Sequence, residues 1–334
     1  MPVNPYPPAY MGFVGFVKFI TNNPSNVFTV RATSADIKLT QAINKPELIS
    51  GKYDRTVYSL GPKEVGGGVA FPALMENATD AASGTTAVVP VLWRKAVLRN
   101  DSGRLDQFDL AVKYTSDYAF FQYTNCIVNS FEFNVTQGET VNISLDLMGI
   151  ERKVLIPSTG IGNGLTQEPQ YNTRNTRAVT WNDAIVTITS DSSGIFGTGG
   201  GISGEWLRSF TATLNNNADR FLTLNGKLFP QDVQAKQRDF TGTMTVMGRN
   251  PILGIASETN QDRCNETSLV TFGYQLNVGC QACFLIQLPG CVFQVEEMGL
   301  TNDLLESTVN WHSLPGGKYS DAVGHETFEI CPTS

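Results

Sequence analysis

The stretch FEFNVTQGETVNISLDL, residues 131–147, alternates apolar and polar residues on both sides of a short turn at Gln137-Gly138. Successive side chains of a β-strand point to opposite faces, so alternation places the apolar set on one face. That set is Phe131, Phe133, Val135, Val141, Ile143, Leu145 and Leu147. The pattern predicts a β-hairpin with one buried face and one face in water.

The same alternation returns in the second half of the chain, in RSFTATLNNNADRFLTLNG (208–226) and RDFTGTMTVMG (238–248). A looser version occupies 34–39. The polar sides of these strands carry Thr, Asn, Ser and carboxylates, with little lysine or arginine. We predict that they form the functional surface, with the candidate residues Glu132, Asn134, Asn142, Ser144, Asp146, Thr211, Thr213, Thr243 and Thr245.

Composition agrees with a strand-rich protein. Of 334 residues, 16% are charged, against an average of about 25%. The net charge is −7, and acidic and basic residues balance within 1–158, so the excess acid lies in 159–334. Without a basic stripe, the sequence argues against a protein that grips nucleic acid. The length allows one large domain or two of ordinary size.

An internal repeat favours two domains. Strands, glycine turns and a middle segment follow in the same order twice. Leu39, Gly51 and Gly67 correspond to residues 175 positions later, and Cys126 corresponds to Cys291, 165 positions later. The other interpretation is that any two β domains look alike at this level. We predict a first β domain over 1–153, a Pro- and Gly-rich linker over 154–177, a second β domain over 178–314 and a C-terminal arm over 315–334.

Few segments favour helix. The sequence predicts one short helix within 71–84 and a counterpart within 249–260, at the same place in each repeat. The valine-rich stretch VPVLWRKAVL (89–98) fits either state, and its valines favour a strand. The stretch LTLNG (222–226) is predicted to be the second strand after the asparagine-rich turn.

Taken together, these features resemble the tail tube proteins of long-tailed bacteriophages. The resemblance is clearest over 208–248, where an alternating strand, an Asn-rich turn, a strand ending in Gly and a TG-T-V strand follow one another. A looser version runs through 34–71 and the hairpin 126–149. It implies a mainly β fold of two tandem β-sandwich or half-barrel tube domains, each with a short flanking helix. The inner sheets of such subunits join into a closed β-barrel.

The resemblance further implies a structural protein, the major tail tube subunit. Its rings would stack into a hollow conduit for DNA ejection, and two domains per chain imply trimers with pseudo-sixfold symmetry. The candidate residues would face the lumen, past which DNA moves without specific binding. Implied partners are the protein itself and other tail proteins (sheath or terminator, tape measure, baseplate), within the virion tail after assembly in the host cytoplasm. A tail-tip hub, which also forms rings, and an all-β carbohydrate- or receptor-binding module remain alternatives.

No motif points to catalysis, a cofactor or a metal. The pair Cys280 and Cys283 lies in an apolar strand-like run rather than at a helix N-terminus, and no second CxxC completes a zinc site. Of the two histidines, His312 follows Trp311 at a predicted strand end. We therefore expect no enzyme, no cofactor and no metal. With no signal peptide or membrane span apparent, we expect no membrane partner and free thiols in a reducing cytosol. The segments 1–9 and 315–334 are either tails or arms that add to a neighbouring ring.

Overall fold

The structure, a computed structural model, describes most of the strand-forming parts of the chain. The described residues are 16–20, 27–30, 32–44, 58–75, 88–99, 103–113, 120–155, 177–190, 201–203, 207–247, 268–275, 283–294, 299–300, 305–313, 318–321 and 327–329. Within them the fold is mainly β, with a single α-helix, as the sequence predicted.

Strands of the first half of the chain run up to residue 155: β1 (Phe16–Ile20), β2 (Val27–Val30), β3 (Ser34–Asn44), β4 (Ser59–Pro72), β5 (Leu74–Met75), β6 (Phe108–Lys113), β7 (Phe120–Thr136), β8 (Asn142–Gly149) and β9 (Glu151–Leu155). The helix is α1 (Val88–Val97).

Strands of the second half begin at residue 177: β10 (Arg177–Ala178), β11 (Ala184–Ser190), β12 (Gly201–Ser203), β13 (Leu207–Asn215), β14 (Asp219–Phe221), β15 (Asp232–Gln234), β16 (Asp239–Met247), β17 (Ser268–Gln275), β18 (Cys283–Phe293), β19 (Gly299–Leu300), β20 (Leu305–Ser313), β21 (Lys318–Asp321) and β22 (Thr327–Glu329). A short 3-10 turn covers Trp181–Asp183.

One antiparallel sheet crosses both halves, and we call it the shared sheet. Its strand order is β3–β4–β8–β7–β13–β16–β20. The C-terminal end of β18 and then β19 pair with β20 on its far side. The two halves meet at β7 and β13, where Phe131 lies opposite Leu214. The halves of the chain are therefore joined by backbone pairing.

Each half also forms a sheet of its own. The first-half sheet has the order β2–β1–β6–β7–β9, and the second-half sheet has the order β12–β11–β17–β18–β21–β22. The long strands β7 and β18 each run from one sheet into the shared sheet. Cys126 and Cys291, both buried, lie near the points where these strands change sheets.

The core lies between the apolar side of the shared sheet and the two other sheets. Phe272 of β17 packs against Phe133 and Phe210, with ring centroids 5.3 Å apart in both pairs. The hydroxyl of Tyr123, in the first-half sheet, donates to the carbonyl of Ile37 in β3 at 2.8 Å. Each large apolar side chain buried this way stabilises the fold by about 1.5–3 kcal/mol.

The helix corrects two predictions. The valine-rich stretch 89–98 was predicted to be a strand, yet α1 covers Val88–Val97. The predicted helix within 71–84 is wrong over its start, because Pro72 ends β4 and residues 74–75 form β5; 76–87 lie outside the described residues. Tertiary packing outweighs the preference of valine for strands. The buried residues follow helical spacing, at Val89, Leu92, Trp93, Ala96 and Val97.

Helix α1 belongs to the first half but packs into the second. The ring of Trp93 lies 5.1 Å from Phe131 and 5.8 Å from Phe240 of β16. At the C-terminus of the helix, the side-chain amide of the buried Asn216 donates to the carbonyl of Ala96 at 2.9 Å, and Arg238 donates to that of Val97 at 2.6 Å. These donors satisfy carbonyls that the helix itself leaves without partners.

The predicted strand 222–226 is also wrong. After β13 the chain enters the two-stranded hairpin of β14 and β15, and 222–226 form its exposed connection. The asparagine run does more than turn the chain: Asn216 is buried, and Asn217 adopts a left-handed conformation with φ of 46°. The predicted helix within 249–260 lies outside the described residues.

Pairing registers recur between the halves. Ile37 lies opposite Gly67, and Ala212, 175 residues later, lies opposite Gly242. On the other side of the shared sheet, Asn134 faces Asn142. Gly299, 165 residues after Asn134, faces Glu306. The same correspondence holds outside the shared sheet, since Gln122 pairs with Lys153 and Gln287 pairs with Lys318.

Candidate functional site

The candidate site is the polar face of the shared sheet. The structure places all nine candidate residues on that face, on four adjacent strands. Asn142 lies opposite Asn134, Asn134 opposite Thr211, and Thr211 opposite Thr243. A second row runs through Ser144, Glu132 and Thr213, and Asp146 and Thr245 lie in the rows on either side of these two. The site therefore crosses the junction between the halves.

Strict alternation positions these side chains. Between them along the strands lie fully buried residues such as Phe133, Ile143 and Met244, and a shift by one residue would exchange the two faces. The candidates themselves are half-buried, with Thr243 exposed. Burial of the apolar set thus fixes which side chains face outward.

Side chains on the polar face bond to one another across strands. The hydroxyl oxygens of Thr211 and Thr243 are 2.6 Å apart, and Ser209 donates to Thr245 at 3.0 Å. Asn129 donates to the carboxylate of Asp146 at 2.8 Å. These contacts hold short polar groups flat against the sheet, which leaves a smooth surface of hydroxyl, amide and carboxylate groups.

Carboxylates outnumber cations on this face among the described residues. The carboxylates are Asp36, Glu64, Glu132, Asp146, Asp239 and Glu306, and the cations on the same strands are Lys38 and Arg208. Both cations are paired within the chain: Lys38 lies 3.0 Å from Asp36, and Arg208 bonds Glu306. Such a surface repels phosphate rather than binding it.

Sequence reasoning missed two strands of this face. The face of β4 offers Gly66, Gly68 and Ala70 between its buried valines, so no polar alternation marked it. The face of β20 carries Thr308, Asn310 and His312. Its signal was the alternation around the buried Val309 and Trp311. His312 is exposed, and its ring nitrogen lies 2.9 Å from the side-chain nitrogen of Gln294.

At one end of the shared sheet stands an exposed apolar hairpin, which we call the leucine hairpin (residues 219–234). Its connection presents Phe221, Leu222, Leu224 and Leu228 to solvent, with Leu224 fully exposed. It is well ordered: Asn225 accepts from the backbone of Lys227 at 2.9 Å, and Gly226 turns the chain with φ of 76°. At its base, a hydrogen bond from Lys236 holds the pKa of Asp219 below its ordinary value.

The opposite end of the sheet carries a groove, which we call the end groove. Its floor is apolar and its rim is polar, and it is lined by Val135, Gln137, Trp181, Ala184, Val186, Leu207, Arg208, Ser209 and Phe210. Strand β13 runs from this groove at Leu207 to Asn215, just before the leucine hairpin begins. The two features therefore lie at opposite ends of the same strand.

Nothing in the described part of the chain resembles a metal centre: no three His, Cys, Asp or Glu side chains are grouped closely enough there to hold an ion. The described free thiols, Cys126 and Cys291, are buried. Cys280 and His325 lie outside the described residues, as do the side chains of Cys283 and of the tails. No helix in the described ranges is long and apolar enough to cross a membrane.

Comparison with known families gives a match over residues 60–246 to the family described as phage tail tube protein. The matched range begins in β4 and ends in β16, so it includes the junction of β7 with β13. A search of curated proteins found no match. Because the family match covers more than half of the 334 residues, the chain belongs to the phage tail tube protein family, whose members are structural proteins of the bacteriophage tail.

Proposed function

We propose that this protein is the major tail tube subunit, which assembles into stacked rings that enclose a conduit for DNA ejection. The observation that carries this proposal is the shared sheet, which crosses both halves with one face apolar and the other neutral to acidic. A sheet that spans the whole subunit is the element needed to continue from copy to copy. Closing it around a ring removes every exposed strand edge.

We further propose that the chain is a tandem pair of tube domains. The recurring registers support this division, because strand pairs in one half match pairs in the other residue by residue. The segment 156–176 would link the domains. With two domains per chain, three copies make a ring with six similar positions, hence trimers with pseudo-sixfold symmetry.

The polar face would line the lumen. Thr, Asn and Ser side chains there are bonded to each other, and the carboxylates repel the DNA backbone. A wall of this kind releases no counterions on contact with DNA, so passing DNA gains no affinity from it. The role is mechanical, and we propose no catalytic activity and no cofactor.

Ring stacking would use the two ends of the shared sheet. A hydrophobic knob at one end and an apolar groove at the other make a contact that repeats without closing, which is how filaments grow. The leucine hairpin and the end groove supply those two surfaces. Other tail proteins, such as a sheath or terminator, tape measure and baseplate, would bind the ends or the outside of the tube, and assembly would take place in the host cytoplasm.

Negative-stain electron microscopy of the concentrated full chain tests the proposal. We expect long hollow tubes with a constant axial repeat. Rings that never stack would favour a tail-tip hub instead. A monomer that stays monodisperse at high concentration would overturn the proposal and favour an all-β binding module.

A further inference from the structure

The internal junction of the shared sheet is a template for the contact between copies. Strand β7 of the first half pairs with β13 of the second, with Asn134 opposite Thr211 and Val135 opposite Phe210. At the edge of the junction, the amide of Asn216 donates to the carbonyl of Asn129 at 2.7 Å. The junction therefore has a defined register over its whole length.

The counterparts of these two strands lie at the two ends of the shared sheet. By the recurring registers, β3 corresponds to β13, and the segment from Gln294 to β19 corresponds to the last part of β7. Within the described ranges, β3 pairs with β4 on one side and with no strand on the other. Likewise β19 pairs there only with β20. Each end thus presents the edge that the other end has already bonded inside the chain.

We propose that β3 of one copy pairs antiparallel with β19 of the next copy, in the register of the β7–β13 junction. Subtracting 175 from β13 and adding 165 to β7 places Asp36 opposite Gly299 and Ala35 opposite Leu300. The same transfer makes the amide of Gln41 a donor to the carbonyl of Gln294. This inference rests on the proposed ring assembly and specifies which edges meet and in which register.

Two observations favour a second copy as the occupant of these edges. The edge strand β3 is eleven residues long, and its single lysine, Lys38, is paired with Asp36 at 3.0 Å rather than left to block the edge. Near its end, the apolar side chains of Ile43, Tyr58 and Leu60 are exposed. The contact joins two different edges, so it can only continue around a ring or along a filament.

Cysteine pairing measures the register. Directly opposite residues of antiparallel strands have Cβ atoms close enough for a disulfide. The variants Asp36→Cys and Gly299→Cys are purified separately, mixed, assembled and oxidised. We expect covalent dimers on a non-reducing gel from the mixture, and none from either variant alone or from the wild type. In the double variant D36C/G299C, we expect a ladder that stops at the trimer.

Two controls calibrate the experiment. The pair Asn134→Cys with Thr211→Cys has the template geometry inside one chain, and should oxidise without forming a ladder. The pair Lys38→Cys with Gly299→Cys is two residues out of register and should oxidise at least tenfold more slowly. If microscopy shows rings or tubes but D36C and G299C do not link, the register is wrong while the proposed function stands. If neither particles nor links form, the proposed function fails, and this inference fails with it.

Discussion

At the scale of single residues, glycine decides how closely the strands of the shared sheet approach. A Cβ at Gly242 would overlap the carbonyl oxygen of Thr211 and the ring of Trp311. At the corresponding Gly67, with φ of 145°, a Cβ would overlap the carbonyl oxygen of Asp36. Both glycines lie in a strand next to one edge of the four-strand set of their half, so each half needs the same close backbone approach.

We predict that Gly242→Ala lowers the free energy of unfolding by about 1–3 kcal/mol, because the backbone and the Trp311 ring must both shift. The matched control is Gly68→Ala in β4, where a Cβ would meet only the carbonyl of Leu145 at 3.7 Å, an ordinary contact. Urea unfolding followed by tryptophan fluorescence measures both variants. Equal midpoints for the two variants would contradict the steric account.

The thiol of Cys126 should be inert. Burial raises its pKa well above the ordinary value, and the charge of Asp109 raises it further. Since the thiolate is the reactive form, we expect no alkylation by iodoacetamide in the native protein from pH 7 to 9, and rapid alkylation once urea unfolds it. Peptide mass spectrometry resolves this residue from the other cysteines. Alkylation of Cys126 in the native state as fast as in urea would show that the site is open.

The same shift gives a pH dependence of stability. Above about pH 8.5 the thiol ionises in the unfolded chain but stays protonated in the folded one. The unfolded state then binds fewer protons, so the Cys126 contribution to stability decreases as the pH rises.

At the scale of elements, alternation predicted the strands well where one face is buried and the other polar. It assigned the faces of the 131–147 hairpin because each buried residue there has a polar neighbour in sequence. It failed for α1, whose valines favour a strand locally while Trp93 packs among aromatic rings from distant strands. It could not find the β7–β13 junction, since pairing between strands some 80 residues apart leaves no mark in either strand alone.

The leucine hairpin carries a prediction of its own. We expect Leu224→Asp to leave rings intact and abolish tubes, because a charge at the exposed tip cannot enter the apolar floor of the end groove. The matched control is Val154→Asp, which alters an equally solvent-facing apolar residue of β9 and should leave tubes unchanged. Sedimentation separates tubes from rings. Loss of rings in L224D would mean that the hairpin joins neighbours within a ring.

At the scale of the whole molecule, charge on the polar face should set how tubes respond to DNA. Wild-type tubes are expected not to retain short duplex DNA even at low salt, since carboxylates dominate the face. Replacing Thr211, Thr213 and Thr243 by Lys should produce binding that weakens steeply as salt increases. Co-sedimentation with labelled duplex measures this, with Val154→Lys as the control for charge elsewhere. Retention of DNA by the wild type would contradict a neutral conduit.

The most direct test of the central claim is a cryo-electron microscopy reconstruction of the assembled particle. The account predicts three copies per ring, a continuous β-barrel formed by the shared sheets, and a lumen wall that carries Asn134, Asn142, Thr211 and Thr243. A ring whose lumen is lined instead by the first-half and second-half sheets, with the polar face of the shared sheet turned outward, would contradict it.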